Sequence, residues 1–443
     1  MPARLSIALI AVAALVALGA PAAAPAASEP YYGVPGAVGA GPAKYNRVFV
    51  HQFGPANATR VLILVPGYAG GSGDFTLMAR ELVKRVPRLQ VWALDRRTQP
   101  FEDTSVFARN PTLQQAFDYY LGFKFKQVNG KADAPFARRW GLKLALEDLR
   151  RVVLRARAGG RRKVILGGHS LGASTTAAYA TWDFSGRRGY EDIEGMVLID
   201  GGLLGSFSTP SLAAVRARLR DLATADPFVD LLGAGVPWAA GIFAEIGALY
   251  ARREPAAPSP LQSFPLLPAS FKPAFPVTNE ALLGNAFDKT TSPRGLELLR
   301  LRAGGLAPTG NPRPWRNGEV TPIQNVARTF FQEPGNAVEW YFPKKLTLDV
   351  DGANALTRNP ITNFLGLRTW HLAQVDVPLY AYQTDLTNGR VLRGARAFVG
   401  RSNVPRSLLV DDSRITSHLD PLTAAPNRTR FYTTLVPFLK ALR

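Results

Sequence analysis

The chain of 443 residues contains no cysteine, which removes disulfides, thiolate metal sites and cysteine nucleophiles together. Histidine is scarce: His51, His169, His371 and His418 are all there are, so imidazole chemistry has few candidates. Acidic side chains are outnumbered, 33 against 53 Lys and Arg. The apolar run Leu5–Ala20 is short for a span, and no other stretch reaches the roughly 18 consecutive apolar residues that a membrane-spanning helix needs. Material for a core is abundant, with 47% hydrophobic and 19% charged residues, so long disordered tails are not expected. A chain of this length suggests two or three domains, or one domain with a large insertion.

The N-terminus reads as an address. Arg4 precedes the apolar run Leu5–Ala20, and Pro21 and Pro25 close it beside the Ala-x-Ala patterns Ala22-Ala23-Ala24 and Ala24-Pro25-Ala26. Residues 1–27 are therefore expected to be a signal peptide, removed on export, with an uncleaved anchor as the alternative. The net charge is +20, and Arg outnumbers Lys by 41 to 12. The arginines are spread along the whole chain, a compositional bias and not a nucleic-acid footprint. Only Arg138–Lys163 is denser, with ten basic residues against Glu147 and Asp148. This stretch reads as a solvated helix face, compatible with weak attraction to anionic surfaces.

From Asn46 short β-rich runs alternate with amphipathic stretches. The runs are 47–50, 60–65, 89–94, 163–167 and 195–199; helical patterns occupy 75–86, 136–157 and 171–182. Such alternation predicts an α/β fold with a mostly parallel sheet covered on both faces. From residue 205 to 366 the sequence turns rich in Pro and aromatics and reads as short helices joined by turns. Thr209-Pro210, Ser292-Pro293 and Thr321-Pro322 look like helix starts there. Strands at 377–383 and 406–410 and a helix at 430–442 resume the rhythm. The expected organisation is a core in two parts, 28–204 and 367–443, interrupted by a helical insertion at 205–366.

The chemistry centres on Gly168-His169-Ser170-Leu171-Gly172, placed directly after a β-run and before a helix. A serine in this context occupies a tight strand-to-helix turn that small neighbours permit, with its hydroxyl above the sheet edge. Ser170 needs a general base. His169 is its neighbour and poorly placed to reach round, His51 lies early, and His371 precedes a strand. His418 follows the last strand-like run and is the expected base. The acid that orients it is sought at strand ends: Asp385, one strand before His418, is favoured, Asp200 is the rival, and Asp411 and Asp412 are weaker. The oxyanion donors are expected to be the amides of Leu171 and, in the glycine-rich loop 66–73, Tyr68. Asp349-x-Asp351-Gly352-x-Asn354 lacks the spacing of a calcium loop and reads as a turn, and Asp95-Arg96-Arg97 reads as a local ion-pair arrangement. No metal or cofactor is expected.

The order Pro66-Gly67, Gly168-x-Ser170-x-Gly172, Asp385 and His418 resembles the α/β-hydrolase superfamily over 46–202 and 367–442, roughly half of the chain. The resemblance implies that fold, with the insertion where the superfamily commonly carries its cap. Pro66-Gly67 departs from the His-Gly of many members. Serine at the elbow argues against the members that use Asp there, the dehalogenases and epoxide hydrolases. The expected activity is hydrolysis of a small-molecule or lipid-like carboxylic ester with a sizeable apolar part, through an acyl-Ser170 intermediate. An acyltransferase or a peptidase would use the same triad, and a binding protein could occupy the same fold without catalysis.

Overall fold

A computed structural model describes residues 29–331 and 334–442; the expected signal peptide lies outside them. Eight strands make one sheet: β1 (Tyr31–Pro35), β2 (Arg47–Phe53), β3 (Arg60–Val65), β4 (Leu89–Asp95), β5 (Lys163–His169), β6 (Gly195–Ile199), β7 (Leu379–Gln383) and β8 (Ser407–Asp411). Their spatial order is β1-β2-β4-β3-β5-β6-β7-β8. The pairings from β4 across to β8 are parallel, and β1 and β2 are antiparallel additions at one edge. The central runs RVLILV, LQVWALD and GMVLI are almost wholly buried, as strands covered on both faces must be.

Alternation along β3 divides the core. Val61, Ile63 and Val65 face the helices Leu142–Arg157 and Leu171–Thr181, whereas Leu62 and Leu64 share a cluster with Met78 and Leu82 of Thr76–Arg85 and with Leu435 of Phe431–Ala441. In chain order these helices, with those that follow β6, are α1 (Thr76–Arg85), α2 (Leu142–Arg157), α3 (Leu171–Thr181), α4 (Leu212–Thr224), α5 (Ala239–Arg253), α6 (Asn279–Phe287), α7 (Ile323–Phe330), α8 (Lys344–Gly352), α9 (Arg390–Gly400) and α10 (Phe431–Ala441).

The regular structure between β6 and β7 is mainly α-helical, α4 to α8 and Pro360–Leu365, with a two-stranded ribbon of Gly304–Leu306 and Trp315–Asn317, and long loops join these elements. Its apolar side chains do not close on themselves alone: Ile246, Leu249, Leu283 and Phe330 belong to the same buried cluster as Met78 and Leu82. The helix starts differ in detail from the sequence reading. Ser211, one residue after Pro210, caps α4 by accepting from the Ala214 amide at 3.1 Å. Pro322 precedes α7, and Ser292-Pro293 opens no α-helix. Asp349 and Asp351 lie inside α8, not in a turn. Asp349 accepts from the Leu142 amide at 2.9 Å. Arg96 and Arg97 pair far away in sequence, with Glu339 and Asp148, each at 2.7 Å.

The register aligns the carboxyl ends. Val65 pairs with Gly168, His169 with Ile199, Ile199 with Tyr382 and Gln383 with Asp411. The loops after β3, β5, β6, β7 and β8 therefore open along one edge, where open α/β sheets bind ligands.

Candidate active site

Ser170 joins β5 to α3 with φ 56° and ψ −123°, a conformation that costs a non-glycine residue of order 1–3 kcal/mol. The sequence permits it through its glycines. A Cβ on Gly168 would stand 2.3 Å from the Gly172 carbonyl carbon, and one on Gly172 would stand 1.9 Å from Val65 O. The Ser170 amide donates to Ile199 O at 2.8 Å. Its hydroxyl faces a cavity of about 530 Å³ and, among the described residues, has no hydrogen-bond partner. Catalytic hydrogen bonds often tighten only when substrate binds.

His418 lies in the loop after β8 and is 1% exposed. Its Nδ1–H donates to Asp200 Oδ2 at 2.5 Å. Asp200, at the end of β6, is fully buried; its Oδ1 accepts from the Thr384 amide at 2.8 Å and its Oδ2 from the Thr384 hydroxyl. A carboxylate on Nδ1 fixes the tautomer that leaves Nε2 as proton acceptor.

Asp385 does not join this group, and the sequence expectation is corrected here. Its side chain is 21% exposed and is held by Lys289, by Arg302 at 3.3 Å and by the Ser417 hydroxyl at 2.9 Å. The chain turns by one residue at Thr384, so Thr384 supports the acid at β6 while Asp385 points to cations of the intervening segment. Asp411 accepts from Ser413, and Asp412 accepts from the Tyr382 hydroxyl and the Arg430 amide, 3.0 Å away.

His169 has a part the sequence reading missed. Its Nε2–H donates to the His418 carbonyl oxygen at 2.9 Å, and the two rings lie 4.3 Å apart. Burial first, then the neighbouring His418, lowers its pKa to about 3, so it stays neutral and holds the His418 loop. His371 lies elsewhere, 3.0 Å from Asp183. His51 sits in β2, its pKa lowered to about 4 by burial.

Arg96 also went unrecognised. It lies behind the loop after β3, 9% exposed, and donates to the carbonyls of Pro66 at 2.6 Å, Gly67 at 2.9 Å and Gly70 at 2.9 Å. In a trans peptide the C=O and N–H point to opposite sides. The Gly67–Tyr68 peptide that presents its oxygen to Arg96 therefore turns the Tyr68 N–H the other way. Gly67 itself abuts the serine: a Cβ there would stand 3.1 Å from Ser170 Cβ. Among the described residues, the amides of Tyr68 and Leu171 donate to no protein acceptor. The loop is further tied down by Gly71 N to Ala337 O at 3.0 Å and Glu339 N to Ala69 O at 2.9 Å. A buried Arg directly after a strand was the available signal, masked by an abundance of arginine.

Among the described residues no helix is long and apolar enough to cross a membrane, and no group of His, Asp and Glu could hold a metal ion. Three solved structures illustrate distant likeness. A thermophilic esterase from Thermogutta terrifontis is 13% identical, covering 93% of this chain and 99% of its own, with a TM-score of 0.42. A monoacylglycerol lipase from Paleococcus ferrophilus is 14% identical over 89% and 99%, at 0.40. Epoxide hydrolase A from Mycobacterium thermoresistibile is 14% identical over 94% and 99%, at 0.45. Among curated proteins none matches. The model of the alpha/beta hydrolase family matches residues 62–323, more than half of the chain, and the protein belongs to that family.

Proposed function

We propose that the protein is an exported serine hydrolase that cleaves carboxylic esters with apolar acyl groups. The observation that carries this reading is the buried His418–Asp200 pair on the sheet edge from which Ser170 emerges. Ser170 Oγ attacks the ester carbonyl carbon while His418 Nε2 takes its proton. The amide donors of Tyr68 and Leu171 receive the oxyanion. Asp200, bonded to Nδ1, steadies the imidazolium. His418 then returns the proton to the leaving alkoxide, giving the free alcohol and acyl-Ser170. Water, deprotonated by the same imidazole, releases the acid and restores the serine.

The apolar acyl preference rests on the segment over the site, read as a cap. Leu231 and Leu299 line both the Ser170 cavity and a narrower chamber of about 70 Å³, walled by Phe243, Phe271, Leu282 and Phe287. Each methylene buried there contributes up to about 0.8 kcal/mol. Two features speak against a peptidase. Asp230 in the Ser170 cavity is occupied by the Ala234 and Gly235 amides, at 3.1 and 2.6 Å, and Asp351 by Arg218 at 3.2 Å, so neither stands free for a substrate amine.

The test is fluorophosphonate labelling with mapping of the modified residue, beside p-nitrophenyl esters from acetate to decanoate and amino-acid amides. Label is expected on Ser170, and Ser170→Ala should lower kcat by about 10⁴-fold or more. The rate should climb over the first few methylenes and then level as the chamber fills. Label on another serine, or faster amide than ester cleavage, would overturn the reading.

A further inference from the structure

The cavity at Ser170 forks, and the fork lies at two consecutive residues. Leu231 opens toward the apolar chamber, while its neighbour Asp230 lines a second branch of different character. Tyr68, Arg218, Asp230 and Thr347 are shared between the Ser170 cavity and an adjoining hollow of about 470 Å³. Asp230 and Lys344 continue from that hollow into a third, of about 600 Å³, which ends among Gln127, Asn129 and Trp238. The three form one trough leading away from the nucleophile.

We infer that this trough receives the alcohol half of the ester, and that this alcohol is a large uncharged polyol, a sugar. The inference rests on the ester-hydrolase reading and adds to it the identity of the leaving group. An ester bound at Ser170 has two arms and the site has two branches; the apolar branch suits the acyl chain, which leaves the trough to the alcohol. Its size far exceeds what methanol or a short alkanol fills. Arg218, Asp230 and Lys344 on its walls already have partners. Arg218 pairs with Asp351 at 3.2 Å, the Asp230 carboxylate accepts two backbone amides, and Lys344 Nζ donates to the Asp226 carbonyl at 3.0 Å. Carboxylates outnumber cations along it, Asp133, Asp221, Asp226, Asp230 and Asp351 against Lys131, Arg218 and Lys344, so a phosphate-bearing head group would meet walls of its own sign. Hydroxyl groups suit such walls, because they can both donate to carboxylates and accept from amides and ammonium groups. At the far end Trp238, 4% exposed and edge-on to Phe125 at 5.0 Å, closes the trough with an apolar edge.

The experiment compares kcat/KM for four hexanoate esters: methyl, glyceryl, sucrose, and glycerol 3-phosphate. The sucrose ester should exceed the methyl ester by about tenfold or more, the gain that one or two net hydrogen bonds supply. The glyceryl ester should fall between them, and the phosphate ester should not exceed the glyceryl ester. In the Gln127→Ala/Lys344→Ala double variant the sucrose-to-methyl ratio should shrink several-fold, and because it is a ratio, the amount of folded enzyme cancels. Equal rates for methyl and sucrose esters, equal rates for glyceryl and sucrose esters, or preference for the phosphate ester would each overturn the sugar-alcohol inference while leaving ester hydrolysis standing. Failure to cleave any of the four, or any p-nitrophenyl ester, would instead remove the ester reading and this inference with it.

Discussion

Two strand ends lie side by side in this sheet and present the same residue type to opposite effect. At the end of β6, Asp200 is fully buried and makes its bonds to Thr384 and His418. At the end of β7, Asp385 remains partly exposed and sits among Lys289, Arg302 and Ser417. The dry carboxylate can hold an imidazole in one tautomer and feel its charge strongly; the wet one is screened and serves as a tie between the core and the segment above it. Position at a strand end thus does not by itself choose which carboxylate meets the imidazole.

The sharpest way to break this comparison is amidation. Asp200→Asn should lower kcat by roughly 10²–10⁴-fold, because the amide favours the wrong tautomer. Asp385→Asn should stay within about threefold, since it removes only a partly screened ion pair. Steady-state rates on the purified variants, with circular dichroism to confirm folding, check the ranking. The reverse order would return the acid to β7.

Acid titration of stability sharpens it next. His169, beside the dry end, and His51 have folded pKa values of about 3 and about 4, against roughly 6.5 when unfolded. Between those values the unfolded chain binds protons that the folded chain refuses, so stability falls as pH drops from about 6.5 toward 4. Asp420, which accepts from the Ser417 amide at 2.6 Å next to the wet end, has a pKa raised to about 6 by burial. Its folded form holds a proton that the unfolded form, near 3.9, lacks, so it opposes the loss between about pH 6 and 4. Relative to the wild type, the change in urea midpoint on going from pH 7 to 4.5 should shift toward stability in His169→Gln and toward instability in Asp420→Asn. The same pH dependence in both variants as in the wild type would show that these two groups do not contribute to the profile.

The smallest effect belongs to the tie itself. Asp385→Ala should cost about 1 kcal/mol or less, and the difference in thermal midpoint should narrow in 1 M salt, where charges more than about 3 Å apart are screened. A salt-independent loss would mean that Asp385 acts through packing.

The central strands and the elbow were legible because each is a short apolar run or a glycine-spaced turn whose physics is local. β1 was not, since YYGVP is a brief edge strand holding Gly and Pro, residues depleted from strands. α9 was not, because RVLRGARAFVG carries glycine and a high density of arginine, which blurs its apolar stripe. In the candidate site, the positions of Ser170 after β5 and of His418 after β8 could be read from chain order. The choice between Asp200 and Asp385 could not, because it depends on a one-residue turn at Thr384 and on where Lys289 and Arg302 arrive from a segment about a hundred residues earlier. His169 was set aside for its inability to reach Ser170, and its actual partner is the His418 backbone. Arg96 and Arg97 were read as local pairs because Glu339 and Asp148 come near only through the fold.

The clamp of Arg96 on the carbonyls of Pro66, Gly67 and Gly70 separates two duties that one residue would otherwise share. The proposed oxyanion donor at position 68 is a main-chain amide aimed from behind by an interior guanidinium, while the Tyr68 side chain lines the proposed alcohol trough. If both proposals hold, exchanging the Tyr68 side chain, which also packs on Phe342 at 4.9 Å, changes the wall met by the alcohol while the amide stays aimed by Arg96, so selectivity and oxyanion binding are set by different parts of one residue.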